Sequence, residues 1–285
     1  MIAASICCNK PLEFCLLHRA LTVSMIPVQV HTVASRYLEL ADRALPQRIE
    51  GLYLVGSIAL NDYQPGKSDI DFVAVTGTAL LRRELDQMKA VHQALHREFR
   101  RPWFSGVYVT WADLLRSPLL AENAAFHYEG QFGYEGGFEA NPSVWTVMQN
   151  YAIALRGMER PPVRCDLAET RQWNLDNLNA YWRQWASHNK LFFGRGLMML
   201  ADRSVEWGVC GVARLHFTIA TGNVISKTGA CEYAMERFPE QWRQIVAQAL
   251  SIRRGHKPAR IGRMRRRQEA LRFIDFVIRD ANSIR

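Results

Sequence analysis

Two hydrophobic patterns divide this 285-residue sequence, and the change from one to the other constrains its fold more than any other feature. Short apolar runs that end at glycine or at a polar turn are confined to residues 51–110. From residue 141 onward the apolar residues recur at helical spacing instead. The two patterns predict an α+β fold, in which a sheet-and-helix domain precedes an all-helical domain.

The first part of the sequence contains three predicted strands and two predicted helices. The strands are the runs 51–55, 70–75 and 106–110, and the helices are the stretches 31–45 and 80–99. In chain order, helix, strand, strand, helix and strand describe a compact α/β unit in which the first two strands are adjacent.

The domain boundaries follow from where each pattern begins. We place one boundary near residue 140, so that residues 25–140 form the first domain and residues 141–285 the second. Residues 1–24 lack the basic start and the uninterrupted apolar centre of a signal peptide, and we interpret them as a doubtful N-terminal extension. The predicted helices of the second domain are 144–155, 171–187, 193–207, 209–220, 230–238, 239–252 and 260–280.

The composition favours a globular protein. Hydrophobic residues make up 48% of the chain, yet no apolar run approaches the roughly 20 residues that span a bilayer. The formal net charge is +9, and much of the positive charge lies at residues 253–267. Because Leu271, Ile274 and Ile278 follow at helical spacing, we interpret this segment as an amphipathic helix with a solvated basic face, in preference to a nucleic-acid-binding surface.

The six cysteines follow no metal-binding spacing such as CxxC. We interpret them as reduced thiols, which predicts a cytoplasmic protein. The lack of a spanning apolar run predicts that it has no membrane partner. The sequence leaves the oligomeric state open.

A pair of aspartates carries the chemistry of the first domain. Asp69 and Asp71 flank Ile70 at the start of an apolar strand, so both carboxylates point to the same face. Aspartate is disfavoured in strands and like charges repel, so the pair needs a compensating cation. Mg²⁺ fits this requirement, because it prefers oxygen ligands and leaves positions open for substrate phosphates.

Two hydroxyl-bearing positions surround the aspartate pair. Gly56 and Ser57 follow the preceding strand, where glycine permits a close backbone approach and the Ser57 hydroxyl can hold a phosphate oxygen. Ser68 directly precedes Asp69 and offers a second hydroxyl. Together these residues predict one site for a metal-bound nucleoside triphosphate.

The Gly-Ser and Asp-Ile-Asp motifs together resemble the signature of the DNA polymerase β-like nucleotidyltransferase superfamily. Segments 211–227 and 230–239 extend the likeness to the C-terminal helical domain of the aminoglycoside adenylyltransferases, which inactivate the antibiotics streptomycin and spectinomycin. Together the matches cover most of residues 45–255.

The resemblance implies an activity and two further site residues. It implies transfer of AMP from Mg²⁺-bound ATP to a hydroxyl of a small acceptor, for which we favour an aminoglycoside such as streptomycin or spectinomycin. It also implies that Arg214 and Lys227 bind the triphosphate across the cleft between the domains, a role that suits a guanidinium fork and an ammonium group.

The sequence departs from the family on the third strand. Such transferases commonly carry a third carboxylate there, as general base or metal ligand, and Ser105 occupies the position that we align with it. Glu129 is our candidate substitute, because it follows that strand in a loop that can reach the cleft, and His127 is a weaker one. Asp113 lies too far along, at about 3.3 Å per residue, to meet Asp69. The aspartate pair and its metal acting alone are the remaining alternative.

The sequence identifies the residues of the acceptor pocket less clearly than those of the nucleotide site. Several aromatic residues interleave with Asp176 and Asn177, and such a set can bind a polycationic sugar or form helical core, which we favour for most of them. Transfer to another metabolite or to a protein hydroxyl, and nucleotide or nucleic-acid binding without catalysis, stay as alternatives. The aromatic residues are Trp145, Trp173, Tyr181, Trp182 and Trp185.

Overall fold

The computed structural model describes residues 26–121, 124–191, 199–256 and 262–284. Within these ranges the chain forms a six-stranded mixed sheet with the strand order β5-β4-β3-β2-β1-β6. Strands β2 and β3 pair in parallel, and the other neighbours are antiparallel. The doubtful extension 1–24 lies outside the described residues. The strands are β1 (Gly51–Leu54), β2 (Ile70–Thr76), β3 (Phe104–Thr110), β4 (Ala125–Tyr128), β5 (Gln131–Gly133) and β6 (Ile153–Arg156).

Helices pack on both faces of the sheet, and further helices form the second part of the described chain. None of those described is both long and apolar enough to cross a membrane. The helices near the sheet are α1 (Val28–Ala44), α2 (Gly56–Ala59), α3 (Arg82–Glu98), α4 (Trp111–Leu114) and α5 (Pro142–Asn150). The helical part has α6 (Leu167–Asn177), a π-helical turn at Leu178–Trp182, α7 (Arg183–Lys190), α8 (Asp202–Thr221), α9 (Lys227–Arg237), α10 (Arg243–Arg253) and α11 (Arg263–Ala281).

The central strand β2 separates two hydrophobic cores. Phe72 packs into the core formed with α1 and α3, whereas Val73 belongs to the core on the opposite face, together with Trp145 of α5. Because successive side chains of a strand alternate between faces, Asp71 points to the same side as Val73. Asp69 precedes the strand on that side, so the two carboxylates lie together as the alternation predicts.

A third core holds the helical part together, with α8 at its centre. α8 packs against α6, α9, α10 and α11. Gly211 of α8 is required by this packing, because a Cβ atom there would lie 2.3 Å from the ring of Trp182. Trp182 and Trp145 are both buried, which agrees with their interpretation as core residues, whereas Tyr181 is 46% exposed.

The predicted fold class and the three predicted strands are confirmed. Strands β4, β5 and β6 were not predicted. β6 lies where the sequence indicates the end of a helix at 144–155, because Ala154 pairs with Tyr53 at the sheet edge and this strand pairing overrides the helical spacing. The sheet therefore extends to Arg156, past the boundary predicted near residue 140.

The basic segment that begins α11 is not uniformly solvated, contrary to the prediction. Arg267 is buried and donates hydrogen bonds to the carbonyl oxygens of Asn189 (2.7 Å) and Leu191 (2.8 Å). Arg266 is also buried and pairs with Asp202 at 2.5 Å. The reason is that α11 packs beside the end of α7, where helix carbonyl groups lack partners within their own helix. Part of the positive charge is thus structural.

Candidate active site

Gly56 brings the backbone of the β1–α2 turn against Asp71. Its φ of 58° lies in the left-handed region, which favours glycine. A Cβ atom at this position would lie 2.0 Å from Oδ2 of Asp71, and the N–H of Val55 donates to the Asp71 carbonyl oxygen at 2.9 Å. Glycine is therefore needed for the Gly-Ser motif and the second aspartate to meet.

Ser57 offers a free hydroxyl at this turn. Its Oγ is buried and has no hydrogen-bond partner among the described residues, although buried polar atoms are normally paired. Its backbone N–H donates to the Asp71 carboxylate and is thus engaged within the protein. The hydroxyl is the group of Ser57 that can contact a ligand.

Ser68 lies in the loop that leads into β2. Its Oγ accepts a hydrogen bond from the backbone N–H of Gln64 at 3.1 Å and lies 3.5 Å from Nη2 of Arg253. Both contacts use Ser68 as the acceptor, so its own proton can still be donated to a phosphate oxygen. The same hydroxyl orders the loop beside Asp69.

Asp69 and Asp71 repel each other at the floor of the cleft. Burial raises the pKa of both carboxyl groups, and the neighbouring charge of Asp69 contributes to raising that of Asp71 to about 7. Arg101 partly compensates Asp69, since its Nη1 lies 3.5 Å from Oδ1. A divalent cation bound by both carboxylates would remove the remaining repulsion.

The donor set fits Mg²⁺. Both side chains supply hard oxygen ligands from one face of β2. Within the described ranges, no group of three or more His, Cys, Asp or Glu side chains is arranged to hold a metal. Two protein carboxylates, with the other positions taken by substrate phosphate and water, are a usual way of binding Mg²⁺.

The position of the expected third acid is filled by Ser105 of β3, which is buried and directly opposite Asp71 in the parallel pair. Glu129 lies nearby, in the turn between β4 and β5, where its φ is 45°. Its N–H donates to Ser105 Oγ at 3.4 Å, and its charge contributes to the raised pKa of Asp69. Its carboxylate is 39% exposed and lies 3.8 Å from Arg203. Glu129 thus stands at the rim of the cleft.

Glu139 is a carboxylate of the site that the sequence analysis did not identify. Burial is the main cause that raises its pKa to about 8, and the charges of Asp71 and Asp69 add to it. Arg214 acts in the opposite direction. Glu139 lies in the loop before α5, about 70 residues from the aspartates, and no local pattern distinguishes it from the other glutamates. The four carboxylates around the cleft are Asp69, Asp71, Glu129 and Glu139.

His127 lies on the wrong side of the sheet to act as a base. It is buried, its ring stacks on His92 with 3.9 Å between centroids, and its Nδ1 is bonded to the Phe104 carbonyl oxygen at 2.6 Å. Side chains of β4 alternate as those of any strand do, so His127 faces α1 and α3 while Tyr128 faces the cleft side. Asp113 is also engaged elsewhere, in the capping box with Thr110.

Arg214 and Lys227 approach the aspartates from the helical part. Arg214 Nε donates to the Ile225 carbonyl oxygen at 3.2 Å, and Lys227 Nζ lies 5.0 Å from the centre of the Trp207 ring. The charges of both cations lower the pKa of Asp71, so they act on it across the cleft. Burial lowers the pKa of both groups, and for Lys227 the charge of Arg214 does so too. A polyanion between them would relieve this repulsion.

A buried cluster of charges joins the two sides of the cleft. Arg253 of α10 donates through Nη2 to the Asp62 carbonyl oxygen (2.6 Å) and carboxylate (3.1 Å) and approaches Glu206 at 3.4 Å. Thr228 donates its N–H and hydroxyl to Asp62. Lys67 Nζ donates to the Ile252 carbonyl oxygen at 2.5 Å. These contacts fix the loop that carries Ser68 and Asp69 against α8, α9 and α10.

Comparison with known proteins agrees with this arrangement. A nucleotidyltransferase domain profile matches residues 36–99, and the profile of the aminoglycoside adenylyltransferase C-terminal domain matches residues 205–279. No curated protein shows a significant match to the chain. Spectinomycin adenyltransferase AAD(9) from Enterococcus faecialis, in a crystal structure with ATP and spectinomycin, shares the fold with a TM-score of 0.63 at 12% identity, over 89% of this chain and 99% of its own. The chain thus carries a segment that matches the nucleotidyltransferase domain, followed by one that matches the C-terminal domain of the aminoglycoside adenylyltransferases, and it shares its fold with AAD(9).

Proposed function

We propose that the protein transfers AMP from Mg²⁺-bound ATP to a hydroxyl group of an aminoglycoside of the streptomycin or spectinomycin type. This proposal rests on two carboxylates and two cations that face each other across the cleft. Asp69 and Asp71 lie on the sheet, and Arg214 and Lys227 lie on the helices. A dense patch of negative charge opposite paired cations matches a metal-bound triphosphate. Because ATP is the donor, we expect the protein to act in the cytoplasm.

Each residue of the cleft has a role in this proposal. Asp69 and Asp71 hold Mg²⁺, which when bound supplies charge neutralisation and orientation of the phosphates. The hydroxyls of Ser57 and Ser68 donate to phosphate oxygens and fix the triphosphate for in-line attack on the α-phosphorus. Gly56 keeps the backbone close to Asp71.

Arg214 and Lys227 serve the leaving group. Negative charge builds on the pyrophosphate as the bond to the α-phosphorus breaks, and two partly buried cations stabilise that charge more strongly than water does. α9 is held to the loop before β2 through Thr228 and Asp62, and α8 is linked to the same loop through Glu206 and Arg253. These contacts keep both helices near the loop, whereas the spacing between Arg214 and Lys227 depends on the packing of α8 against α9.

Two carboxylates are candidates for accepting the proton of the acceptor hydroxyl. Glu129, which the sequence indicates, lies at the rim of the cleft, where its charge helps to raise the pKa of Asp69. Glu139 lies deeper, where Asp71 and Asp69 both act on it. We favour Glu139, because a carboxylate inside the cleft is closer to the reacting phosphorus than one that is exposed and paired with Arg203.

Glu139→Gln and Glu129→Gln form a matched pair that separates these candidates. Both changes keep the side-chain shape and remove the basic oxygen. We expect Glu139→Gln to lower kcat by about 100- to 10,000-fold, the usual contribution of a general base, and Glu129→Gln to change it by less than about tenfold. Single-turnover rates of AMP transfer measure both. A larger loss of rate in Glu129→Gln than in Glu139→Gln would assign the role of base to Glu129. If neither change lowers the rate, neither glutamate is the base, and activation of the hydroxyl is assigned to the aspartate pair and its metal.

The proposed acceptor is tested with purified protein, labelled ATP, Mg²⁺ and a panel of aminoglycosides. We expect a labelled adduct with streptomycin or spectinomycin. Pyrophosphate release that requires a cell extract instead would indicate another metabolite or a protein hydroxyl as the acceptor. Nucleotide binding without turnover under either condition would contradict the proposed transfer.

A further inference from the structure

Two cysteines meet between the helices that carry the phosphate-binding cations. The Sγ atoms of Cys210 in α8 and Cys231 in α9 are 2.9 Å apart, closer than an ordinary non-bonded contact and longer than the disulfide bond of about 2.05 Å. Both residues are completely buried. Closing this gap requires the sulfur atoms to move by less than about 1 Å.

The pair is placed next to both cations of the cleft. Cys210 precedes Arg214 by one turn of α8, and Cys231 follows Lys227 by one turn of α9. Residues four positions apart lie on the same side of a helix. The charge of Cys210 contributes to the pKa of both Arg214 and Lys227, which agrees with this proximity.

We propose that Cys210 and Cys231 form a reversible disulfide that locks α8 to α9 and so fixes the spacing of Arg214 and Lys227. The reduced pair already has the contact that the bond requires. All three cysteines of the described residues are free thiols, and the third, Cys165, is half-buried and hydrogen-bonds to Thr146. The effect on nucleotide binding rests on the function proposed above, whereas formation of the bond does not.

The reaction needs a small oxidant, and hydrogen peroxide has the size to reach a buried pair. One thiolate attacks the peroxide oxygen and becomes a sulfenic acid, with release of one water molecule after protonation. The second sulfur then displaces the sulfenic hydroxyl as a second water molecule, and the S–S bond forms. The two thiols lose two electrons and two protons, and the peroxide is reduced to two water molecules.

The chemistry also predicts that oxidation is slow. The hydrogen bond with Cys210, together with burial, raises the pKa of the Cys231 thiol. Since the thiolate is the reacting form, the reaction depends on the small thiolate fraction, and incubation at about pH 8.5 accelerates it. A buried pair of this kind responds to sustained oxidative conditions and not to brief exposure.

The bond is tested by peptide mapping of the full-length protein after incubation with hydrogen peroxide. Trypsin releases Cys210 in peptide 204–214 and Cys231 in peptide 228–237. We expect these two peptides to be joined after oxidation and to separate on reduction, while Cys165 stays open to alkylation. Oxidised protein in which both cysteines are alkylated after denaturation, with no joined peptide, overturns the proposal.

Thermal unfolding and calorimetry with MgATP then test the consequences. The loop closed by the bond spans 21 residues, for which we expect oxidation to raise the Tm by roughly 5 °C. The dissociation constant of MgATP is expected to fall by about threefold, because the cations are held in place before binding. Cys231→Ala should lose both effects, and the matched control Cys165→Ala should keep them.

The outcomes distinguish the two proposals. If calorimetry detects no MgATP binding in either the reduced or the oxidised protein, the proposed nucleotide site is rejected. The proposed disulfide is not affected by that result. A joined peptide without any change in MgATP affinity, in protein that does bind MgATP, would reject the link between the bond and the site. An equal Tm rise in Cys231→Ala would show that oxidation acts elsewhere.

Discussion

Asp71→Asn is expected to reduce AMP transfer by at least about 1,000-fold while leaving the fold intact. Asparagine has the shape of aspartate but neither the charge nor the second anionic oxygen that a divalent cation requires. The side chain lies against Gly56 and accepts the N–H of Ser57, and the asparagine carbonyl can still accept that hydrogen bond. The loss should therefore fall on catalysis and metal binding rather than on folding.

The effect on stability gives this prediction an internal check. Asp71 carries a charge that burial and Asp69 both disfavour, so the neutral variant loses a repulsion. Its Tm in metal-free buffer should not fall below that of the parent protein. Asp86→Asn, a change of the same type at an exposed position of α3, should leave both Tm and transfer rate nearly unchanged.

Transfer is followed by the labelled adduct, and metal binding by calorimetry with MgATP. Asp71→Asn protein that is folded by circular dichroism and still transfers AMP at a near-normal rate would remove Asp71 from the proposed metal site. A lowered Tm together with lost activity would show that the side chain is needed for folding, and the catalytic assignment would then rest on Asp69 alone.

The parts of the fold that were predicted from the sequence depend on local patterns. The alternation of Asp69, Ile70 and Asp71 places both carboxylates on one face because a strand has a period of two residues, and this holds regardless of the neighbouring strands. The helical spacing after residue 156 is local in the same way, and most of the predicted helices are present within the described ranges. The separate helices predicted at 193–207 and 209–220 were wrong, because α8 runs without a break from Asp202 to Thr221 and Gly208 lies inside it, packed against Trp185.

The parts that were missed depend on contacts between distant segments. β6 is four residues long and forms only because β1 offers it an edge, and the sequence around Ala154 has helical spacing. Glu139 joins the site through the loop before α5, and its own neighbourhood carries no motif. Arg267 has the composition of a surface residue and is buried because helix carbonyl groups of α7 need donors. Propensity and motif analysis cannot detect partners that lie tens of residues away.

The cluster of Asp62, Glu206 and Arg253 was not predicted either, because its members are far apart in the sequence. Arg253 and Asp62, for example, are 191 residues apart. From the sequence alone, Arg253 belongs to a run of basic residues that is predicted to lie at the surface. In the structure its side chain is 4% exposed, and those of Asp62 and Glu206 are 6% and 10% exposed. The burial of all three side chains makes this cluster sensitive to the loss of one member.

Arg253→Ala is expected to destabilise the protein by about 3–5 kcal/mol, which is the usual cost of removing one partner from a buried ion pair. The cost arises because Asp62 and Glu206 stay buried without the guanidinium that compensates them. The next residue provides a matched control. Arg254 pairs with Glu232 at 2.7 Å, with both side chains about half exposed, so Arg254→Ala should cost less than about 1 kcal/mol.

Urea unfolding of the two variants, with the parent protein alongside, measures the difference. If the penalty comes from uncompensated charge, then Arg253→Met combined with Asp62→Asn and Glu206→Gln should recover a large part of the stability lost in Arg253→Ala, since a buried pair replaced by neutral groups of similar volume is tolerated better than a broken one. Equal destabilisation by Arg253→Ala and Arg254→Ala would contradict this account. In that case the loop that carries Ser68 and Asp69 would owe its position to the contacts of Thr228 and Lys67 with the opposite side of the cleft.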